Sequence, residues 1–334
     1  LAGITKWVTT TCPRCNGMAQ RETNTMPQWA GSSWYYLRFI DPKNSKALVD
    51  KKKEKSWSPV DLYVGGTEHA TRHLIYARFW HKFLFDIGVV SQKEPFARLQ
   101  SLGVVLAEDG RKMSKRWGNV INPDDVIASY GADTMRLYEM FMGPFENAIA
   151  WNTESMVGVR RFLERVWRLK EKVSKKATIQ NEELETLFHK TIKKVGEDIE
   201  GFKFNTAISA LMILMNDLEK EPNVPHEMYS SLLQLLAPFA PHMTEELWAA
   251  LKNKGSVHVS PWPAWNAKKL RSTTLTVAIQ VNGKTRDTMT VSDGITESEA
   301  VAAALERELV KKWLEGREVK RVIFVPGKLL SLVS

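Results

Sequence analysis

The middle of the chain, residues 151–250, carries apolar residues at the spacing of amphipathic helices. Between Val159 and Val166, apolar residues fall at positions i, i+3, i+4 and i+7, which places them on one face of a helix. The same pattern recurs in the stretches 184–195, 207–218 and 228–236 and in a last helix around Trp248. Pro238 and Pro241 interrupt the chain before that last helix. Such helices with short links predict an all-α helical bundle.

The first 150 residues follow a different pattern, in which short apolar runs end at glycine turns. Val60–Val64 precedes Gly65-Gly66, a helical stretch follows from Glu68 to Phe85, and a second run, Leu102–Ala107, ends at the turn 108–110. Strand, glycine turn and helix in that order predict an α/β domain of the nucleotide-binding type. The strands are too few to complete such a sheet, so we expect part of it to be missing.

The C-terminal residues predict a small α/β module. Residues 275–281 alternate apolar side chains up to Asn282-Gly283, a hairpin signal, and a return strand runs to about residue 291. Thr296 and Glu299 form a capping box ahead of a helix, and Val319–Val325 predicts a third strand.

Three domains are therefore expected: residues 1–150, 151–265 and 274–334. The segment Ser260–Ser272 is rich in proline and then in Lys and Arg, which is typical of a linker or hinge.

Composition narrows the class of protein. The net charge is +9, and the basic residues form clusters at 51–55, 170–176, 268–271 and 311–321. Such clusters suit phosphate contacts, although each is equally compatible with a solvated face. The two cysteines, Cys12 and Cys15, exclude a disulfide framework and favour the cytoplasm. No apolar run approaches the ~20 residues of a membrane helix.

One loop carries the strongest chemical signal. Lys112-Met113-Ser114-Lys115-Arg116 follows a predicted strand and is itself followed by Trp117-Gly118-Asn119. Two lysines at this spacing can converge on a polyphosphate and stabilise charge that develops during adenylyl transfer. The alternative is a solvated basic loop.

The loop resembles the KMSKS signature of class I aminoacyl-tRNA synthetases, with Arg116 in place of the last serine. Further stretches are similar to bacterial-type leucyl-tRNA synthetases in particular, in one consistent order, at 22–26, 32–38, 63–79, 121–123, 130–133, 236–248, 281–287 and 322–326. The resemblance implies a partial Rossmann-type catalytic domain, a helical bundle of the anticodon-binding type and the small C-terminal module.

The resemblance also implies a leucine pocket. The family's pocket residues correspond to Trp29, Ser32, Tyr35, His69 and His73, with Trp29 replacing the usual phenylalanine. Aromatic walls and one small residue suit a branched aliphatic side chain. Core packing is the alternative for the two aromatic residues.

For ATP, the resemblance implies the catalytic lysines Lys112 and Lys115, with Mg²⁺ assisting. The ATP-binding residues it implies are Gly65, Gly66, Glu68, His69, Gly103, Val104, Met113, Ser114 and Lys115. Leu102 departs from the family, which commonly has glutamine there near the adenine ring.

Two sequence patterns contain residues that can bind a metal. The order Glu68-His69-x-x-x-His73 differs from the H-E-x-x-H order of zinc proteases, which argues against a metal there. Cys12-Pro-Arg-Cys15 has zinc-knuckle spacing, and in the family such a pair can be half of a zinc ribbon. A redox pair and a vestigial half-site are the alternatives to Zn²⁺.

Parts of a complete synthetase are absent from the sequence. No histidine lies in an H-x-G-H arrangement, and no segment is long enough to be an editing domain. We therefore expect a fragment or split subunit of a leucine–tRNA ligase, inactive without an N-terminal half, whose other partners are leucine and tRNA(Leu). The alternatives are a synthetase for valine, isoleucine or methionine, and a tRNA-binding module without catalysis.

Overall fold

The computed structural model describes residues 1–26, 28–270 and 274–334. The chain forms two compact units, one of residues 1–106 with 146–149, the other of residues 107–145 with 150–334. The predicted boundaries after residues 150 and 265 stay predictions. The end of the predicted linker, residues 271 and 272, lies outside the described residues.

The first unit is a mixed α/β unit with small sheets. Its helices are α1 (Thr5–Val8), α2 (Tyr35–Ile40), α3 (Lys51–Trp57) and α4 (His73–Asp86). Its strands are β1 (Thr9–Thr11), β2 (Met18–Gln20), β3 (Tyr63–Gly66), β4 (Leu99–Leu102) and β5 (Val105–Leu106), and β6 (Ile149–Ala150) begins at its last residue. Single 3₁₀ turns cover Gln28–Ser33 and Thr67–Thr71.

The strands β3 and β4 run parallel, as the crossover through α4 requires. Tyr63 pairs with Leu99 and Gly66 with Leu102, so the two strands end side by side. Among the described residues these strands form a two-stranded sheet. A small core, in which Leu37 and Ala77 are fully buried, holds α4 in this unit.

Two predicted elements of this unit are interrupted. The stretch from Glu68 to Phe85 is not one helix, because Arg72 has φ −130° and ψ −105°, outside the helical region, and α-helical structure starts at His73. The run from Leu102 to Ala107 is not one strand, because β4 ends at Leu102 and β5 covers only Val105–Leu106. Gly103 lies between them, with its Cα pressed against the backbone of Asn147.

The second unit contains the predicted bundle. Its helices are α5 (Pro123–Tyr130), α6 (Ala132–Phe141), α7 (Ser155–Leu169), α8 (Glu182–Glu200), α9 (Phe204–Leu218), α10 (His226–Leu236) and α11 (Pro241–Ala250). Two short parallel strands, β7 (Val173–Ser174) and β8 (Val224–Pro225), join its edge. The predicted apolar faces meet in one core, in which Val166, Leu211 and Tyr229 are fully buried.

The bundle ends are fastened by polar side chains. Asp133, at the start of α6, accepts hydrogen bonds from Met243 N at 2.7 Å and from His242 Nδ1 at 2.7 Å. It thereby caps α11, whose first N–H groups have no partner within the helix. Inside the core, the Tyr229 hydroxyl donates to Val166 O at 2.7 Å.

The C-terminal residues form the predicted α/β module. Its elements are β9 (Thr274–Val281), β10 (Lys284–Ser292), α12 (Glu297–Leu305), α13 (Glu308–Leu314), β11 (Arg321–Val325) and β12 (Leu329–Val333). The strand order is β10-β9-β12-β11, and β12 runs parallel to β9.

The local signals for this module are confirmed. Asn282 and Gly283 have φ of +51° and +77°, as a two-residue hairpin turn requires. Thr296 and Glu299 form the capping box at the start of α12. Within the described ranges, no helix combines the length and apolar character needed to cross a bilayer.

The close approach at Gly103 gives a test of the first unit. A Cβ at this position would lie 1.8 Å from Asn147 O, a backbone atom that cannot rotate away. We expect Gly103→Ala to lower the free energy of unfolding by about 1–3 kcal/mol, measured by urea denaturation.

Gly65→Ala is the matched control, because a Cβ there meets nothing within 4 Å. Equal stability losses in the two variants would contradict the close approach.

Candidate functional site

Four side chains of the first unit are joined by hydrogen bonds around His73. Its Nδ1 lies 2.8 Å from Ser32 Oγ, and its Nε2 lies 2.5 Å from the Tyr63 hydroxyl. The Tyr63 hydroxyl lies 2.7 Å from the Tyr35 hydroxyl. The structure therefore brings together Ser32, Tyr35 and His73, three of the residues predicted for the leucine pocket.

The direction of each hydrogen bond follows from the proton count. Ser32 has one hydroxyl proton and donates it to Trp29 O at 2.7 Å, so Ser32 Oγ must accept from His73 Nδ1–H. The neutral imidazole then accepts at Nε2 from Tyr63, which in turn accepts from Tyr35. The chain runs in one direction and fixes His73 as the Nδ1–H tautomer.

The surroundings favour this neutral state. Burial, with a smaller contribution from the neighbouring His69, lowers the pKa of His73 below its ordinary value. Burial also raises the pKa of Tyr63, which keeps its hydroxyl protonated as a donor. The network is therefore uncharged near neutral pH.

Aromatic rings line the same region. The Trp29 ring meets the His69 ring edge-on with centroids 5.3 Å apart, and the His69 and His73 centroids are 6.1 Å apart. His69 Nδ1 is buried without a hydrogen-bond partner among the described residues. An unpartnered ring nitrogen beside aromatic walls is a group that a polar ligand atom can satisfy.

Tyr63 is a member of this network that the predicted site residues do not include. It lies in β3, hydrogen bonds to both Tyr35 and His73, and stacks on Phe96 with ring centroids 4.0 Å apart. Its place directly before Val64-Gly65-Gly66 is the one signal in the sequence that points to it.

The predicted ATP-binding glycines lie at the ends of the two parallel strands. Gly65 and Gly66 end β3, and Gly103 follows β4. The Glu68 carboxylate folds back over Gly66, where a Cβ would lie 2.3 Å from Glu68 Oε2. The Val104 carbonyl accepts from Ile149 N at 3.1 Å, so one of its lone pairs is already used.

The second unit carries the predicted lysine loop. Lys112 and Lys115 are exposed, whereas Met113 and Ser114 are half-buried. Met113 packs against the bundle core, and Ser114 N donates to Asn119 Oδ1 at 2.9 Å. The loop is thus anchored by the residues between and behind the lysines.

The two cysteines lie at the turn of the β1–β2 hairpin. Cys12 N donates to Gly17 O at 2.8 Å, and Asn16 N donates to Cys12 O at 2.9 Å. Backbone N–H groups of Cys15 and Arg14 lower the pKa of the Cys12 thiol, which favours the thiolate. The described residues contain no cluster of three or more potential metal ligands.

A mainly apolar cleft of this unit lies apart from these residues. It has a volume of about 680 Å³ and is lined by Met26, Trp34, Leu48 and Trp80 among others. None of the predicted site residues lines it.

The buried histidines predict a pH dependence of stability. His81, which is 0% exposed, also has a lowered pKa because of burial. Below the ordinary pKa of 6.5 the unfolded chain takes up protons that folded His73 and His81 do not. Folding stability is then lost as the pH falls, by at most about 1.4 kcal/mol per pH unit for each histidine.

Urea denaturation at pH 7.5, 6.5 and 5.5 measures this loss. We expect the double variant His73→Gln with His81→Gln to lose less stability over this range than the unchanged chain. A free energy of unfolding that stays constant from pH 7.5 to 5.5 would contradict the buried neutral state.

Two family models match this chain. Residues 9–152 match the family of tRNA synthetases class I (I, L, M and V), and residues 181–301 match the anticodon-binding domain of tRNA ligase.

One solved structure is similar to this chain over its whole length. The agnB2 LeuRS of Agrobacterium radiobacter K84, in a ternary complex with tRNA and LeuAMS, is 35% identical with a TM-score of 0.75, and the match covers 100% of this chain and 46% of that chain. The chain thus spans about half the length of this relative. A methionyl-tRNA synthetase of Mycobacterium tuberculosis with methionyl-adenylate is 16% identical, with a TM-score of 0.49 and coverage of 71% and 51%. With a class I match, an anticodon-binding match and this identity over its whole length, the chain belongs to the class I tRNA synthetases of the isoleucine, leucine, methionine and valine group.

Proposed function

We propose that the chain supplies part of a cytoplasmic leucine–tRNA ligase. In the first step, the leucine carboxylate attacks the α-phosphate of ATP, which is bound with Mg²⁺, and gives leucyl-adenylate and pyrophosphate. In the second step, a ribose hydroxyl of the terminal adenosine of tRNA(Leu) attacks the leucyl carbonyl carbon, and AMP leaves. The observation that carries this proposal is the 35% identity to a LeuRS over the whole of this chain.

The network around His73 supports a leucine pocket. The hydrogen bonds of His73 with Ser32 and Tyr63 hold its ring, and the edge contact with His69 holds Trp29. The polar atoms of the network are bonded to one another, so the faces of its aromatic rings are the apolar walls it offers. Such walls suit an uncharged branched side chain.

The strand ends support an ATP site in the same unit. In open α/β sheets, ligands bind outside the carboxyl ends of parallel strands, where Gly65, Gly66 and Gly103 lie. The Glu68 carboxylate can accept from ribose hydroxyls, and His69 Nδ1 has an unused hydrogen-bonding capacity. Together with Val104, these residues form the proposed ATP-binding set of the first unit.

Lys112 and Lys115 supply charge to the reaction without forming a covalent bond. The ammonium group of neither lysine has a hydrogen bond or ion pair with another described residue, so both ammonium groups can take phosphate oxygens. Stabilisation of the charge on the α-phosphate and pyrophosphate lowers the barrier of adenylyl transfer. Met113 and Ser114 anchor the loop that presents them.

Unfinished surfaces of the first unit support the need for a complementary half. Among the described residues, the parallel strands β3 and β4 form a sheet of only two strands. Parallel sheets normally have more strands, and both of their faces are covered by helices. One face of α4 exposes Ile75, Phe79 and Phe83, with Phe79 72% exposed. We propose that the N-terminal half of the catalytic domain, in the same or a separate chain, extends this sheet and covers this face.

The cysteine hairpin fits half of a structural zinc site. Cys12 and Cys15 offer two thiolates from one turn, and structural zinc normally takes four ligands. Zinc bound there would cross-link the hairpin to a second ligand pair, which must come from the complementary half.

A tRNA-binding module without catalysis is the second candidate. The match of residues 181–301 to an anticodon-binding domain and the net charge of +9 favour it, because both are independent of the catalytic residues.

Leucine-dependent exchange of pyrophosphate into ATP distinguishes the two candidates. We expect no exchange by this chain alone and leucine-dependent exchange when an N-terminal LeuRS half is added, with leucine preferred over isoleucine and valine. No exchange in the mixture, with tRNA binding intact, would favour the binding module.

In the active mixture, the lysine loop can be tested directly. Lys112→Ala and Lys115→Ala should each lower kcat for exchange about 10²–10³-fold, the cost of removing one group that stabilises the transition state. Arg168→Ala is the control, because Arg168 is an exposed cation on α7, and exchange does not require tRNA. Unchanged kcat in both lysine variants would contradict the assigned role.

A further inference from the structure

The loop with the two lysines is tied at its base to one carboxylate, Asp109. Arg111 donates to Asp109 Oδ2 from Nε at 2.9 Å and from Nη2 at 2.6 Å. On the other side of the loop, Asn119 accepts from Ser114 N and places its Nδ2 3.5 Å from Asp109 Oδ1. Arg111 also holds the pKa of Asp109 below its ordinary value, so the carboxylate stays charged.

Above this base lies an aromatic ring with two cations. The guanidinium carbon of Arg111 is 5.0 Å from the centroid of Trp117, and that of Arg116 is 5.3 Å from it. Tryptophan offers the most favourable aromatic face for a cation, and both distances are within the range of a cation–π interaction. The interaction therefore joins residues on both sides of the two lysines.

The positive charges of the loop repel one another, and the contacts of Asp109 and Trp117 with the arginines counter this repulsion. Arg111, Lys112, Lys115 and Arg116 place four positive charges within six residues, and like charges this close repel one another. Asp109 and Trp117 engage the two arginines. Both lysines are exposed, and their ammonium groups have no hydrogen bond or ion pair to the rest of the described chain.

We infer that Trp117, Arg111 and Arg116 form a latch that holds the loop in one conformation before ATP binds. They act as positioning residues, because they restrain the backbone that presents Lys112 and Lys115. The arginine at 116, which departs from the signature that the loop resembles, gains a role as the second cation on Trp117. The role of the lysines rests on the proposed function, whereas the latch itself does not.

Trypsin measures the latch on this chain without any catalytic assay. The bonds after Lys112 and Lys115 are cleaved from the open loop, and cleavage follows the population of that state when opening is fast. We expect Trp117→Ala to speed cleavage at these two bonds about five- to thirtyfold, the factor for losing two exposed cation–π contacts. The bond after Arg116 is left out, because the substitution changes the residue that follows it.

Two further variants make the result specific. Trp117→Phe keeps an aromatic face and should restore most of the protection. Trp167→Ala removes another exposed tryptophan of the same unit, with Lys170 Nζ 5.1 Å from its ring, and should leave cleavage in the loop unchanged. Trp117 is 55% exposed, so its replacement leaves the core intact.

The same variant in the mixture with an N-terminal half tests the positioning role. If the latch pre-forms the ATP-binding loop, Trp117→Ala raises KM for ATP in inverse proportion to the fraction of chains that stay latched and changes kcat by less than about twofold. Unchanged cleavage after Lys112 and Lys115 would overturn the latch. Faster cleavage with unchanged KM would overturn the positioning role. An inactive wild-type mixture would count against the proposed function and leave the cleavage result standing.

Discussion

The hydrogen bonds of one buried imidazole, His73, hold the first unit together at its site. They join the 3₁₀ turn that carries Ser32, the strand that carries Tyr63 and the first turn of α4. Because Ser32 donates to Trp29 O, His73 Nδ1 carries a proton, and the lowered pKa of His73 favours a ring without a second proton on Nε2. The shape of the proposed leucine pocket therefore depends on keeping a proton off His73 Nε2.

The two units contribute different kinds of interaction to the proposed reaction. The first offers shape and hydrogen-bonding groups at the ends of β3 and β4, fixed by the close contact at Gly103. The second offers positive charge on a loop that is rooted in the bundle core through Met113. In the proposed function, binding and charge stabilisation thus come from different compact units of one chain, which fits a reaction whose catalysis is mainly positioning and electrostatics.

Elements that depend on patterns of a few neighbouring residues could be predicted from the sequence. The helical spacing around Val166, the Asn282-Gly283 turn and the Thr296–Glu299 capping box all predicted their elements. Features that depend on distant contacts were not readable. The break at Arg72, the split strand at Gly103 and the short elements α13 and β12 were missed for this reason. Tyr63 was missed in the same way, because its role comes from a contact with His73.

The protonation state of His73 can be measured directly by ¹⁵N NMR of the histidine side chains. We expect that at pH 7 His73 Nδ1 has the shift of a protonated nitrogen and Nε2 that of an unprotonated one. We also expect this pattern to persist below pH 6.5, because burial lowers the pKa of His73. A proton on Nε2 at pH 7, or a fully protonated ring at pH 6.5, would contradict the hydrogen-bond chain on which the proposed pocket rests.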